Sequence, residues 1–253
     1  MVSVQQVYDT LKDLANKDQK GFITPAVFNN FAGVAQINIY NELFQELVKA
    51  KQIQRQNFDP GRDKSVRKQA TEDLSVFIVS DFELEVDSSD GIFFKPANLS
   101  KIISISSTAE DRPGIEYTSS TSRYNRKQVE LVYDAEKIDR ILTSNLSTPT
   151  EDFPVALIAQ DIEVFPSTID KIRVTYYRRP GSVDINGDAT NAQPTYASVM
   201  LMGSEQFNAN SSLNFMLPPH YTTELVMEMA KLIGVRLRDP NLAGFAAQEE
   251  ASE

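Results

Sequence analysis

Asp81-Phe82-Glu83-Leu84-Glu85-Val86-Asp87 decides how this chain folds. Apolar Phe82, Leu84 and Val86 alternate with acidic Asp81, Glu83, Glu85 and Asp87. That strict period of two is a β-strand with one face toward a core and one wholly acidic face. Upstream, the apolar residues recur with the 3.6-residue period of helices. Downstream, period two returns, interrupted by one helical stretch. The predicted class is α+β: N-terminal helices including one long helix, an antiparallel β-sandwich or barrel-like domain with an inserted helix and an extended arm, and a C-terminal helix.

Toward the N-terminus, Val4, Val7, Tyr8, Leu11, Leu14 and Ala15 fall on one face of a helix over Val4–Lys17, with Ser3 and Gln6 as its capping box. Gly21 suits a left-handed residue in the turn that follows. Thr24 then reads as an N-cap and Pro25 as the first helical residue, where a missing N–H costs nothing. Ile23 is placed to staple onto Phe28. No proline interrupts the run before Pro60, so a helix extends to about Gln54, apolar on more than one side through Phe28, Tyr40 and Phe44. Residues 49–68 form a basic link with seven Lys or Arg against two Asp, broken by Asp59-Pro60-Gly61. It reads either as a solvated helix end plus loop or as a contact for an acidic neighbour.

Toward the C-terminus, strands are predicted at Val76–Val79, Ile92–Phe94, Lys101–Ile105, Gln128–Tyr133, Val155–Ala159, Ile162–Val164 and Ile172–Tyr177. Asp134 caps an inserted helix with Ile138, Ile141, Leu142 and Leu146 on its apolar side. Residues 184–214 are polar, with an Asn186-Gly187 turn signal, and read as an extended arm or long loop carrying short strands. Pro218-Pro219 opens a last helix with Leu225, Val226, Met229, Leu232, Ile233 and Leu237 as its stripe, ended by Asp239-Pro240. The predicted domains are a helical hairpin with its basic link (1–70), a β domain with the inserted helix 134–146 (71–183), the arm (184–216), and a C-terminal helix and acidic tail packing back on the N-terminal helices (217–253).

Composition narrows the chemistry. The 253 residues carry 25 Lys plus Arg against 35 Asp plus Glu, a net charge of −10, with no Cys, no Trp and one His. Disulfides, thiolate metal sites and cysteine nucleophiles are excluded. A multi-histidine metal centre is excluded too. Net acidity disfavours wrapping DNA or binding an anionic membrane. No apolar run reaches the roughly 18–20 residues of a membrane span, and no basic segment followed by an apolar stretch opens the chain, so neither a membrane segment nor a secretory leader is expected.

His220, in Pro-Pro-His-Tyr at the start of the last helix, reads as a helix-start residue with local hydrogen bonds rather than an acid–base catalyst. No carboxylate spacing singles out a hydrolase pair. Asp81, Glu83, Glu85 and Asp87 form the one ordered carboxylate array. Straight-strand carboxylates do not wrap a calcium ion as a loop does. A solvated sheet face, or a wall that repels phosphate, are the remaining readings. Asp184-Ile185-Asn186-Gly187-Asp188 has oxygen ligands without the calcium-loop spacing. No phosphate-binding glycine motif is present, and Tyr176-Tyr177-Arg178-Arg179, which could stack bases, reads more readily as a half-buried strand edge. Candidate partner contacts are Arg62, Lys64, Arg67 and Lys68 in the link and Phe207, Phe215 and Phe245 in the arm and tail. No catalytic residue, metal ligand or cofactor is assigned, and the chain is not expected to be an enzyme.

Four stretches in this order resemble the tailed-bacteriophage head-to-tail connector proteins, the ring or gatekeeper-type tail adaptors, and most closely the virion ring proteins of crAss-like phages. They are Ile23-Thr24-Pro25-Ala26-Val27-Phe28-Asn29-Asn30 with Asn41-Glu42-Leu43-Phe44; Glu72-Asp73-Leu74-Ser75-Val76-Phe77 with Gly91-Ile92-Phe93-Phe94-Lys95-Pro96; Val164-Phe165-Pro166-Ser167-Thr168-Ile169 with Val174-Thr175-Tyr176-Tyr177-Arg178-Arg179-Pro180; and Leu217-Pro218-Pro219 with Glu224-Leu225-Val226 and Gly234-Val235-Arg236-Leu237-Arg238-Asp239. The resemblance implies a structural virion protein, assembled in the host bacterial cytoplasm and located in the neck or tail. It would form a cyclic, typically dodecameric ring with copies of itself, between the portal and other neck or tail ring proteins. DNA would pass during ejection without specific binding, along a conduit that the acidic stripe would line, and no membrane would be involved. Residues 184–214 would then be an inter-subunit arm. The alternative from a different class is an acidic, non-enzymatic binding or adhesin-like β module.

Overall fold

The computed structural model describes residues 1–17, 23–56, 63–86, 91–108, 126–181, 193–201 and 204–237. Its helices are α1 (Val4–Lys17), α2 (Pro25–Gln56), α3 (Asp63–Leu74), α4 (Ala135–Thr143) and α5 (Thr222–Leu237). Its strands are β1 (Ile78–Glu85), β2 (Ile92–Phe93), β3 (Leu99–Thr108), β4 (Arg126–Gln128), β5 (Glu130–Val132), β6 (Val155–Ile158), β7 (Ile162–Phe165), β8 (Lys171–Arg178), β9 (Ser198–Leu201) and β10 (Ser204–Phe207). The fold is α+β. Two compact units divide the chain: Met1–Phe77 with Arg179–Glu253, and Ile78–Arg178.

In the helical unit the predicted caps form. Ser3 Oγ accepts from the Gln6 N–H at 3.4 Å, and Thr24 Oγ1 accepts from the Val27 N–H at 3.3 Å. Ile23 and Phe28 are both buried, as a staple requires. On α1, Val4, Val7, Tyr8, Leu11 and Ala15 are buried. Helix α2 has 32 residues, about 48 Å at 1.5 Å per residue. Phe28, Ala32, Ala35, Ile39, Tyr40, Leu43, Phe44 and Leu47 fill one wide arc of it, against which α3 and α5 pack. Fully burying an aromatic or leucine on this seam contributes about 2–3 kcal/mol.

Helix α3 corrects the sequence reading. The basic stretch 49–68 begins as the expected helix end, α2 continuing to Gln56, but its last part starts a further helix that was not expected and that runs on to Leu74, past the predicted boundary at residue 70. Ala70 and Leu74, four residues apart, supply its buried side. The high charge of the first half of α3 hides that periodicity.

The arm carries the short strands expected of it, β9 and β10, and its described part packs on its own chain. Residues 193–201 and 204–217 lie along α1 and α2 as a strap. Asn29 on α2 donates from Nδ2 to the Tyr196 carbonyl at 3.0 Å and accepts from the Tyr196 N–H at 2.8 Å, as a neighbouring strand would. Gln36 Oε1 accepts from the Met216 N–H at 2.8 Å, and Asn214 Oδ1 accepts from the Val4 N–H at 3.0 Å. Tyr196 stacks on Tyr8 with ring centroids 3.9 Å apart. Strands β9 and β10 form an antiparallel hairpin on this strap. Residues 182–192 lie outside the described residues.

The β unit holds two four-stranded sheets, in the orders β1-β8-β3-β4 and β2-β7-β6-β5. Leu84, Phe93, Ile105, Ala156, Ile162, Val164, Ile172, Val174 and Tyr176 form one core drawn from both sheets. Among the described residues the sheets do not close into a barrel. Strand β8 alternates as predicted, with Ile172, Val174 and Tyr176 buried. Two features depart from an all-antiparallel reading. First, β5 and β6 pair in parallel, joined through α4, because a parallel return needs a crossover. Second, the strand predicted at Gln128–Tyr133 splits between the two sheets at buried Val129, whose N–H donates to the Ile105 carbonyl at 3.0 Å. Asp134 caps α4 as predicted, accepting from the Glu136 N–H at 3.0 Å.

Candidate interaction surfaces

On the outer face of the first sheet, cross-strand register answers the acidic stripe. Glu83 stands opposite Arg173 and Glu85 opposite Lys171. Arg173 Nη2 lies 2.6 Å from Glu83 Oε2, and Lys171 Nζ lies 2.8 Å from Glu85 Oε1 and 3.9 Å from Glu83 Oε1. The hydrogen bond and charge of Lys171 hold the Glu85 carboxyl below its usual range. Asp81 sits on a bulge between Val79 and Phe82 with φ of 59°, a left-handed conformation that aspartate tolerates better than most residues. Its carboxylate pairs with Arg126 of β4, the opposite edge of the sheet. Edge strands of a flat four-stranded sheet stand about 14 Å apart at ~4.8 Å per strand. The Arg126–Asp81 pair therefore reaches across the two strands between them, β8 and β3. The described part of the stripe is thus a ladder of ion pairs rather than a bare negative wall, and Asp87 lies outside the described residues.

The counter-charges were legible and were missed. Lys171 and Arg173 alternate with the apolar residues of β8 just as Glu83 and Glu85 do on β1. Matching a basic strand face with an acidic one predicts the pairing of the two strands.

The remaining sequence candidates scatter. Lys64 and Arg67 lie in the first turns of α3, and exposed Lys68 has its Nζ 3.6 Å from Glu72. Arg62 and Phe245 lie outside the described residues, as does the segment Asp184–Asp188. Phe207 packs toward Tyr196, with ring centroids 5.4 Å apart. Phe215, expected to touch a partner, is fully buried beside Phe28 of its own chain and is corrected to a core residue. Tyr176 is buried too, its hydroxyl donating to Asn98 Oδ1 at 2.9 Å, so it offers no face to a base.

His220 lies on the turn Pro219–Tyr221 that leads into α5. Its Nε2 is 3.2 Å from Asp73 Oδ1, while the Tyr221 hydroxyl donates to Asp73 Oδ2 at 2.9 Å. Burial and the Asp73 carboxylate push the Tyr221 phenol well above its usual range. Both oxygens of this nearly buried carboxylate at the end of α3 therefore hold the start of α5. Sequence reading anticipated local bonds at His220 but not this partner, which is 147 positions away.

Among the described residues, Met1, Val34, Val48, Phe94 and Ile103 are exposed singly, and the other large exposed apolar side chains fall in two stretches of the chain. Around α4 they are Tyr133 (66% exposed), Leu142, Leu146 (99%) and Phe153 (79%). On β9 they are Val199, Met200 (71%) and Leu201. Among the described residues no group of His, Asp and Glu is placed to hold a metal ion, and no helix is long and apolar enough to cross a membrane. No known protein-family profile matches the chain, and no curated protein matches its sequence.

Proposed function

We propose that this chain is a structural subunit of a virion: one member of a cyclic ring, built from copies of itself, in the head-to-tail connector of a tailed phage. The observation that carries the reading is the pair of apolar outcrops on β9 and around α4. Side chains such as Leu146 and Phe153, 99% and 79% exposed in the connection between α4 and β6, suit surfaces that a protein partner would cover. Two different patches on one chain suit a heterologous contact, the kind that closes into rings. The ordered resemblance of the four stretches to connector ring proteins supplies the location and the dodecameric expectation. In that setting the ion-pair ladder of β1, β8 and β4 supplies a near-neutral outer face, which neither traps nor strongly repels phosphate.

Native mass spectrometry of the purified chain over a concentration series, with negative-stain images of the largest species, tests the reading. Closed rings of uniform subunit number are expected. A monomer persisting at high micromolar concentration would favour an acidic binding module instead.

A further inference from the structure

We infer that β9 is an assembly strand, whose free edge pairs antiparallel with β9 of a second copy about a two-fold axis. The hairpin settles which backbone groups are on offer. The Asn208 N–H donates to the Ala197 carbonyl at 2.9 Å, so Ala197, and with it Val199 and Leu201, turn their peptide groups toward β10. Ser198 and Met200 then point both N–H and C=O away from β10, and among the described residues no strand meets them.

A free edge is a template for another strand, and proteins ordinarily guard it with charge, proline, a bulge or shortness. The other edges of the described sheets are guarded in these ways. Strand β1 carries a bulge and Asp81, Glu83 and Glu85; β4 carries Arg126 and Lys127; β5 carries Glu130. Strand β2 has only two residues and runs on toward Lys95-Pro96. Strand β9 has none of this. It reads Ser198-Val199-Met200-Leu201, with no charge and no proline, pairs with β10 in unbroken register, and leaves its three apolar side chains 44%, 71% and 50% exposed.

Charge selects a second copy as the occupant. Set against its own copy, β1 or β4 would bring like charges face to face, whereas β9 brings none. The register that engages every offered group places Ser198 opposite Met200 of the second copy and Met200 opposite Ser198 of the second copy, each pair exchanging its N–H···O bonds. Val199 then stands opposite Val199 of the second copy, at the closer spacing of about 4.5 Å between Cα atoms. Two hairpins thereby become one four-stranded sheet, and a strand pair that is marginal alone gains the neighbours it lacks. The contact goes beyond the ring reading. It uses the edge of β9 and leaves open the outward face of Val199 and Leu201, which they share with exposed Gln206 and Ser204, while Glu205 and Phe207 turn toward Lys12 and Tyr196. A two-fold contact does not repeat around a single ring, so it links chains of two rings or two free chains.

The absence of cysteine makes the contact directly testable. Val199→Cys supplies one thiol per copy. Oxidation of V199C with diamide, which takes up the two hydrogens as one S–S bond forms, is expected to give covalent dimers and nothing larger. Gln206→Cys, on the same face but on β10, should stay monomeric under the same treatment. Met200→Pro removes an N–H that the hairpin does not use, and Met200→Lys sets like charges across the joined edges. Each should weaken dimerisation in sedimentation equilibrium by about tenfold or more, since hydrogen bonds between the copies are lost. Circular dichroism confirms the fold of each variant, and M200K carries the test where M200P disturbs the hairpin. A V199C chain that stays monomeric on oxidation, or self-association that M200K leaves unchanged, would overturn the pairing. Rings that form in either case leave the ring reading standing. Dimers trapped through V199C from a chain that never closes into rings would keep this contact and overturn the ring.

Discussion

Residues 193–201 and 204–217 bury Tyr196, Phe215, Met216 and Leu217, whereas residues 133–153 leave Tyr133, Leu146 and Phe153 in solvent. Both stretches scatter large apolar side chains among Ser, Thr and Asn, and by composition the first is the better candidate for an exposed arm. The difference lies in where their backbone groups find partners. In the strap, Asn29 and Gln36 of α2 take up the peptide groups of Tyr196 and Met216, which draws the neighbouring side chains inward. In the segment after α4 the partners are local. Thr148 Oγ1 donates to the Ser144 carbonyl at 2.7 Å, and the Phe153 N–H donates to the Thr150 carbonyl at 3.0 Å. A segment that satisfies itself has no need to lie on a core, and its apolar side chains are left for something else to cover.

The most forceful way to break this contrast is Phe215→Ala. It removes a fully buried ring beside Phe28 and should cost about 3–5 kcal/mol in urea unfolding. A cost below 1 kcal/mol would return Phe215 to the surface, as the sequence reading had it. Next comes Asn29→Ala, which strands both peptide groups of Tyr196. About 1–3 kcal/mol is expected, and protection of the Tyr196 amide from hydrogen exchange should fall. The paired change Leu146→Ser with Phe153→Ser sharpens the other side. Both side chains are exposed, so the stability of the isolated chain should move by no more than about 0.5 kcal/mol. Light scattering should nonetheless show weakened self-association.

The smallest effect concerns pH on the ion-pair ladder. The folded-state pKa of Glu85 is depressed by Lys171, so its contribution is present above the unfolded carboxylate value and is lost as pH falls through the lower folded value. Lys171→Met should raise the Glu85 pKa in a carboxyl-detected NMR titration. An unmoved titration would mean that the pair does not persist in solution.

The features legible in the sequence are those carried by neighbours a few positions apart. Ser3, Thr24-Pro25 and Asp134 mark helix starts, and the alternation of Ile172, Val174 and Tyr176 marks β8, because a cap or a period is written within one or two turns of chain. Helix α3 escaped because, among its described side chains, the buried apolar ones are Ala70 and Leu74 within a run of charge. The acidic stripe was visible, but its meaning was not, since Arg126 and Asp81 meet only when β1 and β4 become the opposite edges of one sheet.

The chain by itself therefore determined its class, its helix starts, its inward strand faces and the lack of any cysteine or multi-histidine chemistry. Tertiary structure alone decided that the strap is core, that α4 joins two parallel strands, that the carboxylates are neutralised, and that the outcrops on β9 and around α4 stay bare. The division follows from distance. Capping and periodicity act between adjacent turns, where residue identity suffices. Register, ion pairing and burial join residues from 45 to 210 positions apart, and which of many partners is met depends on the packing of the whole chain.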